Sequence, residues 1–122
     1  MPAKTVQLAN ALLNHTLRNV PYVPPASGYS ALCLTVPTAT TPGVEIPTGP
    51  TAYVRQPIVF SPASSGSIVN AVSVVFPVAL ISWGNILAGE IWDTVGGGMR
   101  MYLAALGTPR FINIGEQAIF SP

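Results

Sequence analysis

Hydrophobic and polar positions follow two different periods along this chain. Near the N-terminus, Val6, Ala9, Leu13 and Leu17 recur at helical spacing, and Leu8 and Leu12 widen the stripe, which predicts one helix over residues 5–19. Thr5 is placed to cap its first turn. Pro21 is placed to end it, because the residue before a proline is pushed out of helical backbone. Such a stripe has to be covered, by a sheet of the same chain or by a neighbouring subunit.

Beyond Pro21 the period shortens, and Gly and Pro break the chain into brief apolar runs. Tyr29–Val36, Tyr53–Phe60, Ser67–Phe76, Leu80–Trp83, Ile86–Trp92, Met99–Leu106, Phe111–Ile114 and Gln117–Phe120 are the candidate strands. A Thr-, Pro- and Gly-rich stretch over residues 37–51 reads as a long loop, with Val44, Glu45 and Ile46 as a brief edge strand inside it. Ser61–Gly66 reads as a turn, and Asp93–Gly98, DTVGGG, as a hairpin turn whose glycines permit positive φ. Pro57 and Pro77 cannot donate to a ladder and favour edges or bulges. The expectation is a mainly β fold: a single-domain antiparallel β-sandwich or barrel of jelly-roll type over residues 1–122, its β region at 29–120, with one N-terminal α-helix.

Composition sharpens this picture. With 122 residues, the chain fits one domain that buries roughly two-thirds of its extended surface. Charged residues make up 7% and AVILMFWYC residues 49%, where about a quarter charged is usual. The five cations, Lys4, Arg18, Arg55, Arg100 and Arg110, are scattered singly, so no basic stripe exists for nucleic acid. The uncharged interval 56–89 is too broken by Asn70, Ser73, Pro77, Ser82, Gly84 and Asn85, and too rich in β-formers, for a membrane helix. No export signal is expected at the N-terminus, because Gln7, Asn10, Asn14 and His15 interrupt what would be its apolar core.

The inventory for catalysis is thin. His15 is the sole histidine and Cys33 the sole cysteine, so no disulfide, zinc site or thiol couple can form within the chain. Cys33 reads as a small core residue and His15 as a surface imidazole. Glu90 and Asp93 are the only close carboxylates; Glu90 and Trp92 point to one face of a strand with Ile91 on the other, and Asp93 starts the turn and bonds backbone amides. The Gly96–Gly98 run leads into a strand, not a helix, and lacks the Lys of a phosphate loop. No enzyme, cofactor or metal is expected. Trp83, Trp92, Tyr53 and Tyr102 are the aromatics from which a lectin-like sugar platform would be built.

The succession NALLNHTLRNVPYVPPASGYSALCLTVPT, YVRQPIVFSPASSGSIVN, VVFPVALISWGNI, the DTVGGG turn and IGEQAIF resembles a family of small phage virion proteins commonly labelled tail fibre proteins. The resemblance runs from about Asn10 to Phe120 and implies a non-enzymatic virion component. A fibre shaft is long and repetitive, whereas this chain is short and has no repeat. The first expectation is therefore a capsid cement or decoration protein, made in the host cytoplasm and bound to the outer capsid surface. It would stabilise the shell of major capsid protein by mass action, as a homotrimer or other homo-oligomer. The alternative is a short tail, baseplate or tail-fibre adaptor subunit contacting tail proteins, and the third is a carbohydrate-binding adhesion module. Because interface cores keep aromatics, Met and Arg, the candidate contact residues are Arg55, Trp83, Trp92, Met99, Arg100, Met101, Tyr102 and Arg110. The 37–51 loop and the N-terminal segment are expected to extend over a neighbour.

Overall fold

The computed structural model describes residues 3–121. Its elements are β1 (Ala3–Lys4), α1 (Val6–Arg18), β2 (Gly28–Cys33), β3 (Gln56–Ile58), β4 (Val74–Val78), β5 (Gly84–Trp92), β6 (Arg100–Ile112) and β7 (Gln117–Phe120). One five-stranded sheet has the order β1-β6-β5-β2-β3, and β4 and β7 pair in a second, two-stranded sheet. Every pairing is antiparallel. The fold is the mainly β, sandwich-like architecture that the apolar runs predict, with a single N-terminal helix; the sheets do not close into a barrel.

Local rules account for most element boundaries. Thr5 caps α1 by accepting the Leu8 N–H at 3.2 Å. The helix ends at Asn19, which turns left-handed with φ 56°, two residues before Pro21. The DTVGGG turn joins β5 to β6: Asp93 Oδ1 accepts the Met99 N–H at 2.7 Å, and Gly97 and Gly98 take positive φ. A Cβ on Gly98 would run into the Asp93 carboxylate and the Thr94 side chain. Pro57 sits in the edge strand β3, where its missing N–H costs the sheet nothing.

Several expected strands are shortened or absent. Met99–Leu106 and Phe111–Ile114 merge into the single strand β6, which swells opposite Leu87, where Leu106–Pro109 have no partner register. The run Leu80–Trp83 forms no strand, because Trp83 turns into the core while Leu80 and Ile81 stay outside. Most of Tyr53–Phe60 and Ser67–Phe76 also leaves the sheets. Residues 59–72 instead form a narrow arm closed on itself by the Ser61–Val69 and Val59–Ala71 backbone bonds, with Val59, Ile68, Val69 and Val72 exposed.

The core lies between the two sheets. Val74 and Phe76 of β4 and Ala118 of β7 point down onto Leu32, Ile86 and Ile112 of the large sheet, with Tyr53 and Trp83 closing one end. Tyr53 stacks on Phe76 at 6.0 Å between ring centroids and meets Trp83 edge-on at 5.6 Å. The Trp83 indole N–H donates to the Thr51 carbonyl at 2.9 Å, so this large ring is buried without an unpaired donor.

Candidate interaction surface

The two faces of the large sheet differ in kind. Cross-strand partners share a face, so Ala31, Glu90 and Leu103, with Cys33, Ala88 and Ala105, look one way. Ser30, Ile91 and Tyr102, with Leu32, Gly89 and Ala104, look the other.

On the first face the chain covers itself. Loop 35–46 folds back over Cys33, and Gly43 comes so close that a Cβ there would meet Cys33 Cβ at 2.9 Å. Beneath it, the Glu90 carboxylate accepts from Arg100 Nη1 at 3.1 Å, from the Gly43 N–H at 3.1 Å and from the Trp92 indole at 3.2 Å. Arg100 Nη2 donates in turn to the Thr38 carbonyl at 2.7 Å. Burial pushes the Cys33 thiol pKa up and the neighbouring Glu90 carboxylate pushes it further, which favours the protonated thiol.

A second ion pair locks the rim. Arg55 holds Glu45 with two bonds of 2.9 Å and donates through Nη1 to the Thr94 and Gly97 carbonyls at 3.0 and 2.9 Å. Its guanidinium carbon lies 4.2 Å from the Trp92 ring centroid. Burial acts against the Arg55 charge, but the bond and charge of Glu45 outweigh it and raise the pKa. The Tyr53 hydroxyl also donates to Glu45 and accepts the Leu32 N–H, and burial with that carboxylate raises its pKa.

These networks relocate several expected contact residues. Arg55, Arg100, Trp83 and Met101 are buried within the chain, and the two arginines tie loops to strands. Trp92 and Met99 are half-buried, Trp92 beneath Arg55. Only Tyr102 and Arg110 of the eight are exposed. The 37–51 loop packs on its own sheet, where Glu45 bridges Cys33 and Ile46 joins the core. The aromatic platform is dispersed too, with Tyr53 and Trp83 in the core and Trp92 under Arg55.

The opposite face is open. β4 and β7 cover only part of it and leave a groove of about 270 Å³ lined by Ile91, Tyr102, Ala104, Leu106, Ile58 and Phe120. A neighbouring cavity of about 290 Å³, reaching Ile119 and Arg110, shares Leu32, Leu106 and Phe120 with it, so the gap runs on between the sheets. The residue pattern carried no sign of this groove, because it arises where the short β4–β7 layer fails to reach across a longer sheet.

The helix gives a second uncovered apolar surface. α1 is held at its N-terminal end, where the Thr5 hydroxyl donates to the Arg100 carbonyl at 2.7 Å and the Val6 N–H to Ala39 at 3.0 Å. Leu8 is buried and Leu12 half-buried, whereas Val6, Leu13 and Leu17 are exposed, Leu17 by 78%. At about 100° per residue, Leu13 lies roughly 140° around the axis from Leu8. The expected stripe is thus two faces: the widening residues pack, and the stripe itself looks outward.

Among the described residues no buried side-chain nitrogen or oxygen lacks a partner, and no three His, Cys, Asp or Glu side chains gather. His15 is exposed, its ring nitrogen 3.2 Å from the Val20 carbonyl. No helix among these residues is long and apolar enough to cross a membrane. A family model described as Podophage GP4 fiber I protein gp80 matches residues 3–122. No curated protein matches the chain. The chain belongs to that phage fibre protein family and is a structural component of a phage virion.

Proposed function

We propose that this member of the podophage fibre I family is a small tail-fibre or fibre-adaptor subunit that works by binding neighbouring virion proteins and performs no reaction. The observation that carries this reading is the family match across residues 3–122, which extends over the whole described chain. The surface agrees with it. Of five cationic and four anionic side chains, Glu45, Arg55, Glu90 and Arg100 are consumed in internal ion pairs, so very few charges are left to keep the outside wet. Apolar surface of this extent marks contact with other proteins.

A capsid cement role is the second reading, favoured by a chain with no repeat from which a shaft would be built. There the partner would be the major capsid protein on the outer shell, and binding only to the assembled shell would stabilise it in proportion to occupancy. Copy number separates the two. Quantitative peptide mass spectrometry of purified virions, with gold-labelled antibody to locate the chain, is expected to find a small multiple of the tail symmetry at the tail. Hundreds of copies, scaling with the major capsid protein, would overturn the tail reading in favour of cement.

A further inference from the structure

We propose that the open groove beside β4 and β7 receives the outward face of α1 from a second copy of this chain. Surface area is the first reason. The chain exposes 7255 Å², whereas a folded monomer of its mass is expected to expose about 6,200 Å². The excess of roughly 1,000 Å² compares with the ~800 Å² that one partner gives up in a standard interface.

Chemical match is the second reason. Val6, Leu13 and Leu17 recur at i, i+7 and i+11 on one helix face, the anchor spacing of a helix laid in an apolar groove. Around the groove the side chains are mostly apolar, with Ser30, Asn70 and the Tyr102 hydroxyl as neutral polar groups, and the Glu90 carboxylate at its floor is turned to the other face and paired with Arg100. Both surfaces lack charge, so bringing them together leaves no ion unpaired.

The helix cannot serve its own groove. Its first N–H is bonded to Ala39, in the loop that lies over Cys33 and Glu90, which puts α1 with the covered face of the sheet. The groove opens on the opposite face, at Ile91, Tyr102 and Ala104. Donor and acceptor surfaces are therefore different patches of one chain, a head-to-tail arrangement that closes into a ring when the rotation allows. Self-association of this kind would serve in a tail or on a capsid alike, so its failure would leave the fibre reading standing.

Mixed disulfide trapping tests it. Leu17→Cys is introduced in one sample and Ala104→Cys in another carrying a longer tag, with Tyr102→Cys as a second, more exposed groove position. Cys33 is fully buried and does not compete. After mixing and mild oxidation, the helix–groove heterodimer is expected to exceed either homodimer at least tenfold, and adding Leu13→Glu to the helix partner should cut its yield tenfold or more. Predominant Leu17→Cys homodimers, meaning that helix meets helix, would overturn the proposal, as would the absence of a heterodimer at both groove positions.

Discussion

The two faces of the five-stranded sheet solve the same problem in opposite ways. One is sealed by the chain itself, with loop 35–46 pressed over Cys33 and a buried Glu90–Arg100 pair whose remaining bonds go to Gly43, Trp92 and Thr38. The other is apolar and half uncovered, ending in a groove lined mainly by apolar side chains. A buried charge pair specifies one arrangement of loop and strand, because any other leaves a desolvated ion without its partner. A bare apolar surface specifies nothing until something of matching shape covers it. The sealed face is thus the scaffold and the open face the working surface.

Changes on the sealed face should have the largest effect on folding. Arg100→Met leaves the Glu90 carboxylate buried and unpaired, and is expected to lower unfolding free energy by about 3–5 kcal/mol in urea titration. Glu90→Gln combined with Arg100→Met should recover part of that loss, since neither partner is then a stranded ion. If Arg100→Met unfolds at the wild-type midpoint, the scaffold role of this face is wrong.

A smaller loss is expected where the helix joins the sheet. Thr5→Ala removes both the cap on Leu8 and the bond to the Arg100 carbonyl, and should cost about 1–2 kcal/mol. Circular dichroism should show helix signal lost with little change in the β signal.

Alkaline pH probes the buried groups on both sides of the large sheet without mutation. The Cys33 and Tyr53 pKa values are raised in the folded chain, above their unfolded values of 9.0 and 10.0. Above pH 9 the unfolded chain therefore sheds protons that the folded chain keeps, and stability must fall as pH rises. Melting temperature should hold level up to about pH 9 and then decline. Cys33→Ala should remove the earlier part of the decline and leave the part due to Tyr53.

On the outward stripe of α1, the other uncovered apolar surface, the expected effect on folding is the smallest. Leu13→Glu with Leu17→Glu replaces side chains that the isolated chain leaves exposed and, at dilutions where both proteins are monomeric, should shift stability by no more than about 0.5 kcal/mol for each site. A large loss of stability would mean that the outward stripe packs within its own chain.

Much of this was legible in the sequence, and the exceptions have physical causes. Thr5, the DTVGGG turn and the prolines act locally, so their consequences could be read directly. Glu90 and Arg100 flank that turn, and lone charges in apolar strands of a charge-poor chain do mark a buried pair once the hairpin is folded. Arg55 and Glu45 carry the same signal more weakly, because the segment between them is irregular and no periodicity fixes their approach. The spacing of Leu13 and Leu17 shows that their helix face is apolar and has to be covered, by this chain or by a neighbour, but never what lies opposite it. The groove depends on the relative lengths of two layers, a property of packing that no local pattern encodes.

Sedimentation velocity on the unmodified chain, over a dilution series reaching tens of micromolar, addresses the working surface most directly. The predicted result is a species at a multiple of 12.7 kDa that reverts to 12.7 kDa in Leu13→Glu/Leu17→Glu, whose melting temperature matches that of the wild type diluted to monomer. A well-behaved 12.7 kDa monomer across the whole series would contradict it.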